Sequence, residues 1–209
     1  MGIYVKGVFG AFSGKVGNVV GSSWRSVDYL RSRPKPTKKN ATPKQRAQRT
    51  KFALAIEFLS PMRQLINIGF NDKNQKKMTA FNQATNELLF KIKGEHPDFT
   101  IPYQDVKFSK GSLEPVRASL GEDATGSPVV KWSVPTKRFD GLPSDVVYVI
   151  LYNAAKQDFF VFQESVRADG ECAIDPEGMG TGEFHIWVVV ANENATKSSA
   201  SRYLETITI

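Results

Sequence analysis

From Gly111 to the last residue, apolar side chains recur at every second position in short runs separated by turn-forming clusters. A period of two belongs to strands that bury one face, and it excludes an all-helical body. Candidate strands fall at 116–120, 129–134, 146–152, 159–163, 171–174, 183–191 and 203–209. The clusters between them include GEDATGSP, DGLPSD, DPEGMGTG and NENATKSS, all rich in residues that favour turns. Seven short strands with Trp132 on the second predict two packed antiparallel sheets, a β-sandwich.

The first 110 residues are organised differently. Between residues 3 and 33, short apolar runs alternate with glycine: Ile3, Val5 and Val8-Phe9, then Val16, Val19-Val20, Trp24, Val27 and Tyr29-Leu30. That spacing predicts a β-hairpin over 16–33 whose two strands meet near Gly21-Ser22-Ser23. Large side chains are too few there for an independent core, so the segment is expected to pack on something else. Pro34 and Pro36 hold residues 34–41 extended. Thr42-Pro43 then reads as a helix start, with a helix over 43–59 whose Phe52, Ala55, Ile56 and Leu59 share a face. Ser60-Pro61 repeats the signature and predicts a short helix over 61–68. A third helix is expected at 75–93, carrying Met78, Phe81, Leu88, Leu89 and Ile92 and closed by Gly94. The following HPDFTIPYQDV reads as a linker. The fold class is therefore α+β in three parts: a basic, glycine-rich β arm at 1–41, a helical segment and linker at 42–110, and a sandwich at 111–209.

Charge follows the same division. Residues 1–53 hold 12 Lys and Arg against the single acid Asp28, a balance of +11, while 112–209 carry −6 and the whole chain +7. Ten of those cations, Arg25, Arg31, Arg33, Lys35, Lys38, Lys39, Lys44, Arg46, Arg49 and Lys51, crowd into 27 residues. Lys15 precedes them, and Trp24 and Tyr29 lie close by. Alternation puts Arg31 and Arg33 on one side of a strand, and a spacing of three puts Arg46 and Arg49 on one side of a helix. Lys15, Trp24 and these ten cations are the candidate contact residues. Three readings compete: docking on an acidic protein neighbour, which is favoured; salt-sensitive, sequence-indifferent binding of nucleic acid backbone; and a solvated face.

Reactive chemistry is not legible. Gly10 and Gly14-Lys15 are separated by three residues where a phosphate-binding loop needs four, and Val16 stands where it needs Ser or Thr. No Gly-x-Ser-x-Gly elbow occurs. His185 lies in EFHIWVVVA on the strand face opposite Phe184, Ile186 and Val188, which reads as a structural or surface histidine. Cys172 is the only cysteine, so it reads as a small buried hydrophobe. With one Cys and two His, the common zinc sites are excluded, and Asp169, Glu171, Asp175 and Glu177 lack the spacing of a calcium-binding EF-hand loop. The acids of the C-terminal half sit mostly in turns, where local hydrogen bonding explains them. No apolar run approaches the roughly 18 residues of a membrane span, and no secretory signal is read. The expected location is cytoplasmic as synthesised. No cofactor, metal or membrane partner is expected.

Two resemblances add to this. The last hundred residues resemble an immunoglobulin-like module of the fibronectin type III kind, in which a Trp on the second strand belongs to the core. The first half, through Gly14-Lys15-Val16-Gly17-Asn18, Trp24, Arg31-Ser32-Arg33-Pro34 and Thr42-Pro43 followed by Gln45, Gln48 and Arg49, resembles a family of uncharacterised proteins. That family carries a domain of unknown function and occurs in bacteria of the Bacteroides and Flavobacterium group and their phages. A similar arrangement occurs in small proteins encoded near phage structural genes, which implies a role in a particle or filament. The resemblance brings no catalytic residues with it. The expectation is a non-enzymatic structural or assembly protein, associated with a phage virion, whose basic arm makes inter-subunit contacts. The alternative is a nucleic-acid-binding protein that uses the same arm.

Overall fold

The computed structural model describes residues 2–3, 12–24, 27–35, 40–71, 78–123, 126–134 and 141–209. The chain forms two compact units, Met1–Thr42 and Pro43–Ile209.

In the first unit, β1 (Gly2–Ile3), β2 (Gly14–Val16), β3 (Val19–Trp24) and β4 (Val27–Ser32) form an antiparallel sheet in the order β1-β4-β3-β2. The hairpin expected to turn at Gly21-Ser22-Ser23 is thereby corrected, because those residues lie inside β3. That hairpin is β3 with β4, which pair as far as Trp24 and Val27, so its connection falls at residues 25–26, outside those described. A second hairpin, β2 with β3, turns at Gly17-Asn18, where Gly17 takes φ +58° between the paired Val16 and Val19. A glycine at the first central position suits the two-residue hairpin turns whose twist matches the strands. Gly21 is needed for another reason. A Cβ there would come within 2.8 Å of the Phe12 ring, which lies across it. Val5, Val8 and Phe9 lie outside the described residues.

The second unit begins with α1 (Pro43–Leu59), a 3₁₀ turn at Ser60–Met62, and α2 (Arg63–Gly69). The buried stripe of α1 is Ala55, Phe58 and Leu59, continued by Met62. The expected Phe52 is not part of it and stays 46% exposed. α3 (Ala80–Lys91) starts where the Thr79 hydroxyl accepts the Asn82 N–H at 3.2 Å. It is shorter than 75–93, and residues 72–77 lie outside those described. The expected linker holds a hairpin instead: β5 (Lys93–Glu95) pairs with β6 (Asp98–Thr100) around His96 and a cis Pro97. Gly94, expected to close α3, sits within β5.

All seven expected strands are present, shifted by no more than two residues at their ends. They are β7 (Ala118–Glu122), β8 (Pro128–Trp132), β9 (Val146–Asn153), β10 (Asp158–Phe162), β11 (Glu171–Ala173), β12 (Glu183–Ala191) and β13 (Arg202–Thr208). Two antiparallel sheets result, with orders β10-β9-β12-β13 and β11-β8-β7. From the first, Val147, Val149, Leu151, Phe184, Ile186 and Val188 pack against Val130, Trp132 and Cys172 of the second. The opposite face, with Ile150, Tyr152, Trp187 and Val189, packs on Ala55, Phe58, Leu59, Ile66 and Leu88 of the helices. The four-stranded sheet is therefore a middle layer with an apolar core on each side. The chain is a mixed α+β fold.

Backbone contacts tie the helices to the strands. The Gly69 carbonyl, ending α2, accepts the Lys110 N–H at 2.9 Å and the Ser198 hydroxyl at 3.1 Å, and Leu113 donates to the Ser198 carbonyl at 2.9 Å. A buried ion pair crosses the loops beneath the other core: Arg167 Nε lies 3.1 Å from Asp145 Oδ2, with both side chains almost wholly buried. The same guanidinium donates to the Glu114 carbonyl. The Arg167 carbonyl accepts the Trp132 indole N–H at 3.0 Å.

Candidate functional site

In the first unit, strand pairing decides which cations share a face. Val20 of β3 pairs with Lys15 of β2 on one side and Arg31 of β4 on the other, so the two cations flank it on the same face. Ser22 pairs with Tyr29 and Trp24 with Val27, which brings both aromatics to that face. Lys15 and Arg31 are exposed, and Trp24 is 53% exposed. Arg33 and Lys35 follow β4 and are also exposed, with the Arg33 N–H held by the Asn18 carbonyl at 2.8 Å. Arg25, Lys38 and Lys39 lie outside the described residues.

In the second unit, Lys44, Arg46 and Arg49 are exposed on the first turns of α1, and Lys51 is half-buried. Arg49 stands beside Phe52 and Ile56 along an open strip of that helix.

Sequence reasoning missed a concave site in the second unit. A cleft of about 310 Å³ opens between α1, the segment after β6 and the β9–β10 hairpin. Phe58, Tyr103, Tyr152 and Phe159 form its wall, with Tyr152 4.5 Å from Phe159 and 5.0 Å from Phe58, centre to centre. Glu57 and Gln157 stand at the rim, and the lining described contains no Lys or Arg. Gln157 has φ +60°, rare for a residue with a side chain, and its N–H is held by the Asn153 carbonyl at 2.8 Å. Burial first, then Tyr103 and the carboxylates of Glu57 and Asp158, push the Tyr152 pKa above the ordinary tyrosine value. Tyr152 is thus a neutral phenol at physiological pH. Phe58 and Tyr152 are almost wholly buried, while the half-buried Tyr103 and Phe159 leave ring surface that can stack a flat or rigid ring, and the carboxylates favour a positive charge alongside.

His185 lies on the same sheet face, paired across strands with Tyr152, its ring centre 4.2 Å from that of Tyr103. Its Nδ1 is 3.1 Å from both the Tyr203 hydroxyl and Thr206 Oγ1. Burial lowers its pKa, partly opposed by Glu183. The unfolded chain then holds this proton more tightly than the folded one, so stability is lost as pH falls through the ordinary histidine value of 6.5. Urea unfolding at pH 7, 6 and 5 is expected to show this decline, and His185→Gln to flatten it.

Cys172 is buried, and burial raises its pKa, which keeps it a thiol. Among the described residues no group of three or more His, Cys, Asp and Glu is placed to hold a metal ion. No described helix is long and apolar enough to cross a membrane.

Together these features define a mixed α+β protein of two units, a small cation-bearing sheet and a larger layered body. The chain belongs to a family of unknown function (DUF6266), whose family model matches residues 11–205 and so runs through both units. No curated protein and no solved structure matches it.

Proposed function

We propose that this chain is a non-enzymatic assembly protein whose basic N-terminal unit docks on neighbouring subunits of a larger particle, such as the phage virion that the first-half resemblance implies. One observation carries the reading. The N-terminal sheet is a compact unit of its own, and its described cations Lys15, Arg31, Arg33 and Lys35 are exposed. A set of exposed cations on a small separate unit favours an anionic surface, and residues 112–209, at −6, offer one on every other copy. Head-to-tail docking of that kind builds rings or open filaments.

The strands of 118–208 fit the decorating half of such a subunit, an immunoglobulin-like module of the fibronectin type III kind. In support, the first, second and fifth strands make one sheet, and the fourth, third, sixth and seventh make the other. That is the order of A-B-E facing C′-C-F-G.

A second reading is favoured by the shared face of Lys15, Arg31, Tyr29 and Trp24, since cations beside aromatics also suit single-stranded nucleic acid. Light scattering of the full chain at about 50 mM and about 500 mM salt separates the two, with an oligonucleotide added in a parallel series. Assembly predicts association at low salt that weakens at high salt without nucleic acid. A monomer at every concentration that binds the oligonucleotide overturns it in favour of the second reading.

A further inference from the structure

The assembly reading needs a receiving surface, and the aromatic cleft has the chemistry of one. Its lining includes Phe58 and Tyr152, which are almost wholly buried, and Tyr103 and Phe159, which are half-buried and leave ring surface open, all from the larger unit. At about 310 Å³ it sits at the low end of ligand clefts, which span roughly 300–1,000 Å³. That room suits one or two rings rather than a large cofactor. Grooves walled by aromatics take up proline-rich extended chain, because proline rings stack flat and lose little conformational freedom on binding.

The chain itself contains such a ligand. Arg33-Pro34-Lys35-Pro36 places two prolines one residue apart, each fixing φ and barring helix, with a cation before each of them. Arg33, Pro34 and Lys35 are exposed and lie outside any helix or strand, directly after β4. Charge matches as well. Glu57 stands at the cleft rim and Asp158 follows Gln157 in the hairpin that forms the other wall, both near enough to act on the Tyr152 hydroxyl. The exposed Gln157 amide can donate to the carbonyls that an extended proline segment leaves unpaired. The left-handed backbone of Gln157 is a strain of the sort found at ligand clamps.

We propose that the aromatic cleft of one copy receives the Arg33-Pro34-Lys35-Pro36 segment of a second copy. The proposal rests on the assembly reading and names its contact.

The test is sedimentation velocity of the full chain in four forms: wild type, Glu57→Arg, Arg33→Glu, and the double variant Pro34→Ala/Pro36→Ala. These positions are exposed or lie outside the described residues, and circular dichroism checks that each form folds. Each variant alone is expected to weaken association about tenfold, the scale of losing one partner of a close charge pair or a preordered segment. An equimolar mixture of Glu57→Arg and Arg33→Glu chains restores part of it, because each charge then meets its complement. A peptide of residues 31–39 competes with wild-type association. If wild type associates but Glu57→Arg associates equally well, the cleft serves another occupant and the proposal falls while the assembly reading stands. If wild type is monomeric, the assembly reading itself falls. Peptide uptake by a monomeric chain overturns the second-copy assignment too.

Discussion

Replacing Arg167 with alanine is expected to lower the unfolding free energy by about 3–5 kcal/mol, the usual cost of removing one partner of a buried ion pair. The Asp145 carboxylate would keep the Leu142 N–H, 3.1 Å from Oδ2, but no cation, in a place where water does not reach it. The Glu114 carbonyl would lose its donor as well. The Trp132 indole bond should survive, because it ends on the backbone carbonyl of residue 167 and not on the side chain. Urea denaturation followed by tryptophan fluorescence measures the effect. The double variant Asp145→Leu/Arg167→Met tests the cause. By removing both charges together it should recover much of the loss. A double variant as unstable as Arg167→Ala would mean that shape, not the stranded charge, sets the cost.

The second large effect is expected at Trp187. Its side chain is fully buried on the helix-facing side of β12, edge-on to Phe108 at 5.3 Å and to Tyr203 at 5.5 Å. Trp187→Ala would open a cavity between sheet and helices and should cost about 3–5 kcal/mol. Trp187→Phe should cost less than about 1.5 kcal/mol. It keeps a ring in place and removes an indole N–H that has no hydrogen-bond partner among the described residues. Equal losses for both substitutions in the same denaturation assay would show that the N–H is satisfied after all. A negligible loss for Trp187→Ala would show that the layer does not depend on this ring.

The positions of the strands were legible because turn clusters punctuate an alternating pattern, and α1 was legible because Pro43 fixes its start. What lies on each side of the middle sheet was read only in part. The runs VVYVILY and HIWVVVA are nearly continuous in apolar residues, which is the mark of strands covered on both faces. Reading them as simple alternation put His185 on a face away from the core, yet that face meets Tyr103, Tyr203 and a second core made by the helices. Phe52 was misplaced for a related reason. Helical spacing offered two apolar stripes on α1, and only contact with the sheet selects Ala55, Phe58 and Leu59. The cation cluster was visible as composition. The aromatic cleft was not, because Phe58, Tyr103, Tyr152 and Phe159 come from separate stretches of chain and meet only when the sheet and helices close. Asp145 was one more acid in a turn cluster until Arg167 was seen beside it.

The layer of helices also bears on how this body could be inherited or engineered. Small independent domains can be portable parts, cut out at their ends and joined into strings. Here the helices and the strands own one wall jointly. A piece trimmed to the strands alone would bare Ile150, Tyr152, Trp187 and Val189 to water, a sticky oily panel that invites clumping. Swapping this body between proteins therefore means carrying its helical backing along with it.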